Sequence, residues 1–432
     1  MSNVQHRAQK KAQKKLDRKK AKDQIKQKQL VDAEVDKIRR AKKVAHTVTD
    51  EDYQKRQQVI ASYENKTEAS LNFLADRNGC GYYRMIWPFE MLAVNAQVQT
   101  INTFVHPSEF AILKNITSIR FQRQVEKGNM QMLDYYLHER HKYGFKYNII
   151  YEMDDLLPEI DPSNVVAYKH FSGKTANHLD MLHKVDLMTV STETLKEVYT
   201  KNYGIDGNKI MVIENTLPKF LYNFNRRAQA PDFTGRKPRV FWSGSGSHVG
   251  QNGDLDFMYE IVRRTTDKYT WVFQGVTPPA LQDLADKKLI ETHPWQNCYS
   301  LAAYQFNVCK ADIYVTTLKP SRFNACKSDL KLLESSALGI PFIGTSFIND
   351  PNYDEYQSPY DGTPAQALLN GDVDEWITAI DDTLNDPEAY MSQVDMQYEY
   401  LNGRWMEDAP NLEKWYASMR TNRPQLQAPQ QA

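Results

Sequence analysis

From residue 71 onward, short apolar runs alternate with amphipathic stretches. "LNFLAD" (71–76), "VQTINTF" (98–104), "SIRFQRQV" (118–125), "KYNIIYE" (146–152), "VDLMTVS" (185–191) and "KIMVIEN" (209–215) have the length and composition of buried strands. "RNGCGYYR" reads as a glycine-containing loop, with a helix starting at Pro88. "NMQMLDYYLHERHKYG" has helical periodicity and stops at Gly144, and "TETLKEVYTKNYG" is a second such helix. A polar, proline-containing stretch, 223–238, then breaks the pattern. The alternation restarts with strands at 239–244, 269–275, 289–293, 311–317 and 340–345, and helices at 254–266, 299–310 and 327–338. "WITAIDDTLND", "YMSQVDMQYEYLNGRWMED" and "LEKWYASMR" continue as helices, and a Pro/Gln tail follows from Pro424. Strands alternating with helices predict parallel α/β sheets, here as two doubly wound, Rossmann-like domains facing a cleft.

Residues 1–45 are different. Their apolar positions are too sparse for a core-facing helix, which predicts a solvated basic arm, helical or disordered. A more balanced helical segment follows from 46 to 68. The expected organisation is the arm (1–45), an N-terminal domain (46–226), a C-terminal domain (237–395), C-terminal helices (396–420) and a disordered tail (421–432).

The formal charge of the 432 residues is zero, but it is unevenly distributed. The arm holds 16 Lys/Arg against 5 Asp/Glu, a net of +11, which leaves 38 against 49 and a net of −11 for the body. Cys80, Cys298, Cys309 and Cys326 have no CxxC spacing and no His cluster beside them. They read as reduced thiols of a cytoplasmic protein, not as a disulfide framework or a zinc site. No apolar run reaches the roughly 18 residues of a membrane span.

The stretch "FNACKSDLKLLESSALGIPFIGT" (323–345) reads as a helix running into a buried strand. With the helix starting near Lys327, Lys327, Lys331 and Glu334 fall on one face, while Leu330, Leu333 and Ala337 face the sheet. A helix N-terminus with two lysines suits phosphate, and a glutamate two turns in suits a ribose diol. A solvated Lys/Glu face explains the same spacing.

This stretch resembles the nucleotide-binding helix and following strand of retaining GT-B glycosyltransferases. "NGCGYYRMIWPFEML", "VDLMTVSTETL", "KIMVIENTLP", "RVFWSGSGSH" and the C-terminal helices resemble further parts of that fold in matching order, over about residues 70–420. The resemblance implies a UDP-sugar donor, no required cofactor, no metal, and C-terminal helices (396–420) that cross back to the N-terminal domain. It places Glu334, Lys327, Lys331, Arg322, Ser243, Gly244, Ser245, Gly79 and Gly81 at the nucleotide sugar. One position departs from the pattern. Eight residues before Glu334, where the family often carries a second glutamate, stands Cys326. Asn324 or Lys327 could take over its contact.

"YEMDD" (151–155) closes a strand at the expected cleft, which makes Glu152, Asp154 and Asp155 candidates for orienting or deprotonating an acceptor hydroxyl. An acidic cap for the following turn is the alternative. The same residues resemble a metal-binding DxD motif of GT-A enzymes, but the two-domain pattern points away from that fold. Arg84 could bind a phosphate or an acceptor anion, or be a surface arginine. His248 reads as structural.

The expected reaction is transfer of glucose or arabinose from a UDP-sugar to a hydroxyl. The sequence also resembles glycosyltransferases of tailed, T4-like bacteriophages, which implies 5-hydroxymethylcytosine in DNA as acceptor, with the basic arm on the phosphates. Transfer to a bacterial surface polysaccharide or a protein, with the arm on anionic membrane, is the competing enzyme reading. A non-catalytic nucleotide-sugar-binding or scaffold protein is the third.

Overall fold

The computed structural model describes residues 68–95, 98–104, 116–222, 227–245, 248, 250, 253–294 and 308–420. The basic arm, the 46–67 helix, most of the 299–310 helix, residues 223–226 of the linker and the tail lie outside the described residues.

Two parallel sheets of six strands each form the body. The first contains β1 (Ala69–Phe73), β2 (Gln99–Thr103), β3 (Ser118–Gln122), β4 (Asn148–Met153), β5 (Leu187–Val190) and β6 (Ile210–Val212), in the order β2-β1-β3-β4-β5-β6. The second contains β7 (Arg239–Gly244), β8 (Thr270–Gly275), β9 (Ile290–Pro294), β10 (Ile313–Val315), β11 (Phe342–Thr345) and β12 (Gln366–Leu368), in the order β12-β11-β10-β7-β8-β9. Each sheet is doubly wound. The chain leaves β1 in one direction and returns to continue from β3, and it does the same around β7 and β10.

The helices are α1 (Trp87–Asn95), α2 (Lys127–Tyr143), α3 (Val165–Phe171), α4 (Thr175–Lys184), α5 (Glu193–Tyr203), α6 (Lys219–Tyr222), α7 (Asp256–Thr265), α8 (Gln282–Asp286), α9 (Arg322–Ala325), α10 (Leu330–Leu338), α11 (Val373–Asn385), α12 (Pro387–Tyr400) and α13 (Ala409–Ser418). Strands β1, β3, β4, β5 and β11 are buried along their whole length, as expected when helices cover both faces. Several buried polar side chains of the first sheet find partners. The Ser70 hydroxyl reaches Asn72 Oδ1 at 2.7 Å, and Arg120 donates to Thr189 at 2.9 Å and Ser418 at 2.6 Å.

After α12 the chain crosses back to the first sheet. Leu217 and Trp405 form a parallel bridge, Trp415 packs against Phe89 at 5.9 Å, and Asn148 donates to the Met419 carbonyl at 2.9 Å.

Two expected boundaries are corrected. Helical structure after β1 begins at Gly79, not Pro88, and passes through a π-turn, Tyr82–Ile86, into α1. In that turn the Trp87 N–H bonds to the Tyr82 carbonyl, a wider ring just ahead of Pro88, which has no N–H to give. Helix α10 begins at Leu330, not Lys327, because α9 forms first. The Ser321 hydroxyl caps α9 by accepting from the Asn324 N–H at 3.2 Å. Gly339 ends α10 in the left-handed region (φ 66°).

Candidate functional site

In an open parallel sheet, ligands bind outside the carboxyl ends of the strands where the winding reverses. Both reversal points open onto one cavity of about 1000 Å³. From the first sheet it is lined by Asp76 after β1, Arg123 after β3, and Asp154 and Asp155 after β4. From the second come Ser245 and His248 after β7, Gly275 at the end of β8, and Lys327 between α9 and α10.

The acidic pair is held by two cations. Arg123 Nη1 lies 3.5 Å from Asp154 Oδ1 and 3.4 Å from Asp155 Oδ2, and Lys327 Nζ lies 3.9 Å from Asp155. Arg123 has a left-handed backbone (φ 51°), an uncommon conformation for a residue with a side chain and one that clusters at functional sites. Burial drives the Asp154 carboxyl upward, with Asp155 adding to the shift, and Arg123 only partly offsets it. Burial also acts on Asp155, but Lys327 and Arg123 outweigh it and hold that carboxyl below its usual range. Burial pushes the Cys80 thiol beside them well up, so it is uncharged.

Opposite stands a network absent from the sequence-based expectations. Asp254 accepts from Asn324 Nδ2 at 2.6 Å and the Lys319 N–H at 3.1 Å, and pairs with His248 Nδ1 at 2.7 Å. Burial alone would raise the Asp254 carboxyl. The His248 contact overrides it and brings the carboxyl down to about 2. Asn324, a candidate for the missing glutamate's role, is engaged here. Cys326 sits fully buried in the apolar cluster of the first sheet, with Phe323 and Leu195.

The other expected residues separate into two groups. Gly79 and Ser245 line the cavity with Lys327, Asp154 and Asp155. Glu152 and Arg84 do not. They form a fully buried ion pair (2.6 Å), with Thr189 donating to Glu152 and Arg84 also donating to Asn215 Oδ1 at 3.1 Å and to the Ile213 carbonyl. Strand β4 runs one residue past Glu152, which leaves that side chain inside the sheet. Arg322 is engaged by Glu159 and Glu355, at 2.8 Å each. Gly81 approaches backbone instead of ligand, since a Cβ there would lie 1.9 Å from the Asp76 carbonyl oxygen. Gly244 lies against Trp242 and Ser243 bonds Tyr314 at 2.6 Å, so both brace the β7 end from inside.

Lys331 donates to the Ser243 carbonyl at 3.0 Å, and burial, reinforced by Lys327, pulls its ammonium down to about 8. Glu334 is buried and accepts from the Tyr83 hydroxyl at 2.9 Å and the Tyr222 hydroxyl at 3.1 Å, the two oxygens being 2.6 Å apart. The adjacent hydroxyl pair expected from a ribose is supplied in this conformation by two tyrosines. Burial raises the Glu334 carboxyl above its usual range.

Among the described residues no group of three His, Cys, Asp or Glu side chains could hold a metal ion, and no helix is long and apolar enough to cross a membrane.

No protein-family model matches this chain. It is 27% identical over 220 residues to a Bacillus subtilis (strain 168) protein, TuaH, provisionally assigned as a teichuronic acid biosynthesis glycosyltransferase. The match covers 49% of this chain and 53% of that protein, so the chain spans about half the length of the curated relative it matches. Among solved structures, sucrose-phosphate synthase from Thermosynechococcus elongatus aligns with a TM-score of 0.53 at 14% identity, over 83% of this chain and 100% of that one. An α-glucosyltransferase in complex with UDP-glucose and DNA containing an abasic site aligns with a TM-score of 0.53 at 10% identity, over 82% and 99%. The two six-stranded parallel sheets, their helices and these neighbours define the GT-B glycosyltransferase fold.

Proposed function

We propose that this protein is a glycosyltransferase that moves a sugar from a UDP-sugar to a hydroxyl in the cleft between its two sheets. The observation that carries this reading is the cavity itself. It brings a carboxylate pair from β4 against Lys327, Ser245 and His248 from the second sheet, at both reversal points. As the donor's C1–O bond breaks, the departing diphosphate gains negative charge. Lys327, the backbone after β7 and the N-terminus of α10 are the groups that stabilise it. The two carboxyls differ in the direction an acid–base pair needs. Asp154, pushed upward, orients the acceptor hydroxyl and takes its proton. Asp155, held down by Lys327, stays anionic and fixes that lysine. Retention of configuration, by attack on the face the leaving group departs from, follows from the resemblance, with Cys326 in place of the family glutamate. Lys331 and Glu334 join the donor site once the tyrosine pair has moved off Glu334.

The preferred acceptor is 5-hydroxymethylcytosine in DNA, with glucose or arabinose as the sugar. Support comes from the net +11 of residues 1–45, the electrostatic footprint of a polyanion partner. The fold is compatible, since it also occurs in an α-glucosyltransferase solved in complex with DNA. A second reading, transfer to a bacterial surface glycan, is favoured by the similarity to the teichuronic acid protein.

The test is nucleoside mass analysis of DNA with and without hydroxymethylcytosine, incubated with the protein and a mixture of UDP-hexoses and UDP-pentoses. A mass gain on hydroxymethylcytosine alone is expected, and its size separates hexose from pentose. UDP release without DNA modification moves the acceptor to a glycan. No UDP release from any donor counts against the enzyme.

A further inference from the structure

A second cavity, of about 420 Å³, lies at the opposite end of the second sheet from the cleft. It is lined by Arg239, the first residue of β7, by Lys310, Ala311 and Asp312 just ahead of β10, by Leu338 at the end of α10 and Ile340 between α10 and β11, and by Arg227 and Arg236 of the linker. Four of these side chains are cationic and one is anionic.

The pairing is unequal. Arg236 holds the Asp312 carboxylate with both terminal nitrogens, at 2.6 and 3.0 Å, and the Arg239 N–H donates to the same group at 2.9 Å. The Arg239 guanidinium is bound by Glu291 at 2.8 and 2.6 Å. These two carboxylates therefore balance Arg236 and Arg239. Arg227 comes no closer than 4.0 Å to Asp312, which is already engaged, and its guanidinium lies over the Tyr390 ring at 5.8 Å. Lys310 is exposed and has a left-handed backbone (φ 47°), and no carboxylate pairs with it among the described residues. Two cations are thus left over, around a cavity whose wall at Ala311, Leu338 and Ile340 is apolar.

We propose that this pocket binds a small phosphomonoester. A phosphomonoester carries about two negative charges at neutral pH, which matches the two unanswered cations, and a guanidinium fork suits its oxygens. The volume falls in the range of small-molecule sites, and the apolar wall would take the organic body. The site is separate from the donor cleft. The two are joined by α10, which follows Lys327 at its cleft end and whose Leu338 and Gly339 end lies at this pocket, where a Cβ on Gly339 would come within 3.3 Å of Arg227.

Calorimetric titration of the full-length chain with glucose 6-phosphate and with inorganic phosphate tests this. The two probes separate a phosphate ester from free phosphate as the ligand. Saturable binding of glucose 6-phosphate is expected, weakened about ten- to a hundredfold in the Arg227→Ala, Lys310→Ala double variant, because hydrogen bonds to charged groups are lost. The charge-conserving Arg227→Lys, Lys310→Arg variant should retain a measurable part of the affinity, and UDP affinity should be the same in all three proteins. Binding that is absent in the wild type, unchanged in the alanine variant, or lost in parallel with UDP binding would overturn the assignment.

Discussion

Glu334 is a carboxylate that the fold has desolvated, and its two tyrosine partners do not restore what water would give. Its pKa in the folded protein lies above the ordinary 4.5 because burial disfavours the charged form. The folded protein therefore holds this proton more tightly than the unfolded chain does. The group's contribution to stability is intact below about pH 4.5 and is lost as pH rises through the higher folded value. Glu334→Gln removes the titration and keeps a carbonyl for the tyrosines. Urea unfolding midpoints measured from pH 4 to 8 should move in favour of the glutamine variant as pH rises. Glu152, also raised by burial, is present in both proteins and cancels. Parallel pH profiles would show that Glu334 is not desolvated in solution. Two arginines allow a second comparison. Arg84 is sealed against Glu152, and removing one partner of a buried ion pair costs about 3–5 kcal/mol. Arg123 keeps 16% of its side-chain surface exposed and faces the cavity. Arg84→Met should therefore lower the unfolding midpoint far more than Arg123→Met, while Arg123→Met should lower UDP release at least about tenfold, as loss of a positioned charge does. Equal effects on both readouts would remove Arg123 from the site.

At the scale of elements, strands were legible wherever they are buried on both faces, because such strands read as continuous apolar runs. Strand β7 was placed at its observed ends, and β1, β3, β4 and β8 to within a few residues. Strand β12 was missed. It is three residues long and only partly buried, so it leaves no run to see. Helices α3 and α4 were missed as well, and the described side chains of α3 include no buried one to impose a period. The start of α10 could not be read from spacing, since the Ser321 cap on α9 takes the first turn and leaves Lys327 in the connection. For the site, position relative to the end of β4 decided the outcome. Glu152 faces inward within the strand, whereas Asp154 and Asp155 lie beyond it. Arg123 meets Asp154 and Asp155, and Asp254 meets Asn324, only through tertiary approach, so no local pattern marks those contacts. The sequence signal for Arg123 and His248 is position, shortly after a strand at a reversal point of the sheet.

For the whole molecule, the exposed polar contacts across the cleft are weak by construction. Across it, Lys319 meets Asp161 at 2.8 Å, Arg322 meets Glu159 at 2.8 Å, and the Thr192 hydroxyl reaches the Cys326 carbonyl at 3.0 Å. The ion pairs are partly exposed, where each is worth about 0–1 kcal/mol and is screened by salt. Such contacts favour the closed state without locking it, as an enzyme needs if donor is to enter and UDP to leave. Closure also keeps water from the donor, so loosening it should cost selectivity before it costs stability. In the Lys319→Ala, Arg322→Ala double variant, UDP release without acceptor should rise relative to sugar transfer, while the unfolding free energy stays within about 3 kcal/mol of wild type, the sum of the three pairs removed, since Arg322 also holds Glu355. The radius of gyration from solution scattering should increase, and high salt should push the wild type the same way. An unchanged ratio of hydrolysis to transfer, with an unchanged radius, would mean that these pairs do not govern closure. The buried contacts between the two halves, among them the tyrosine pair on Glu334 and the packing of Phe323 and Cys326 into the first sheet's apolar cluster, would then be the ones to test.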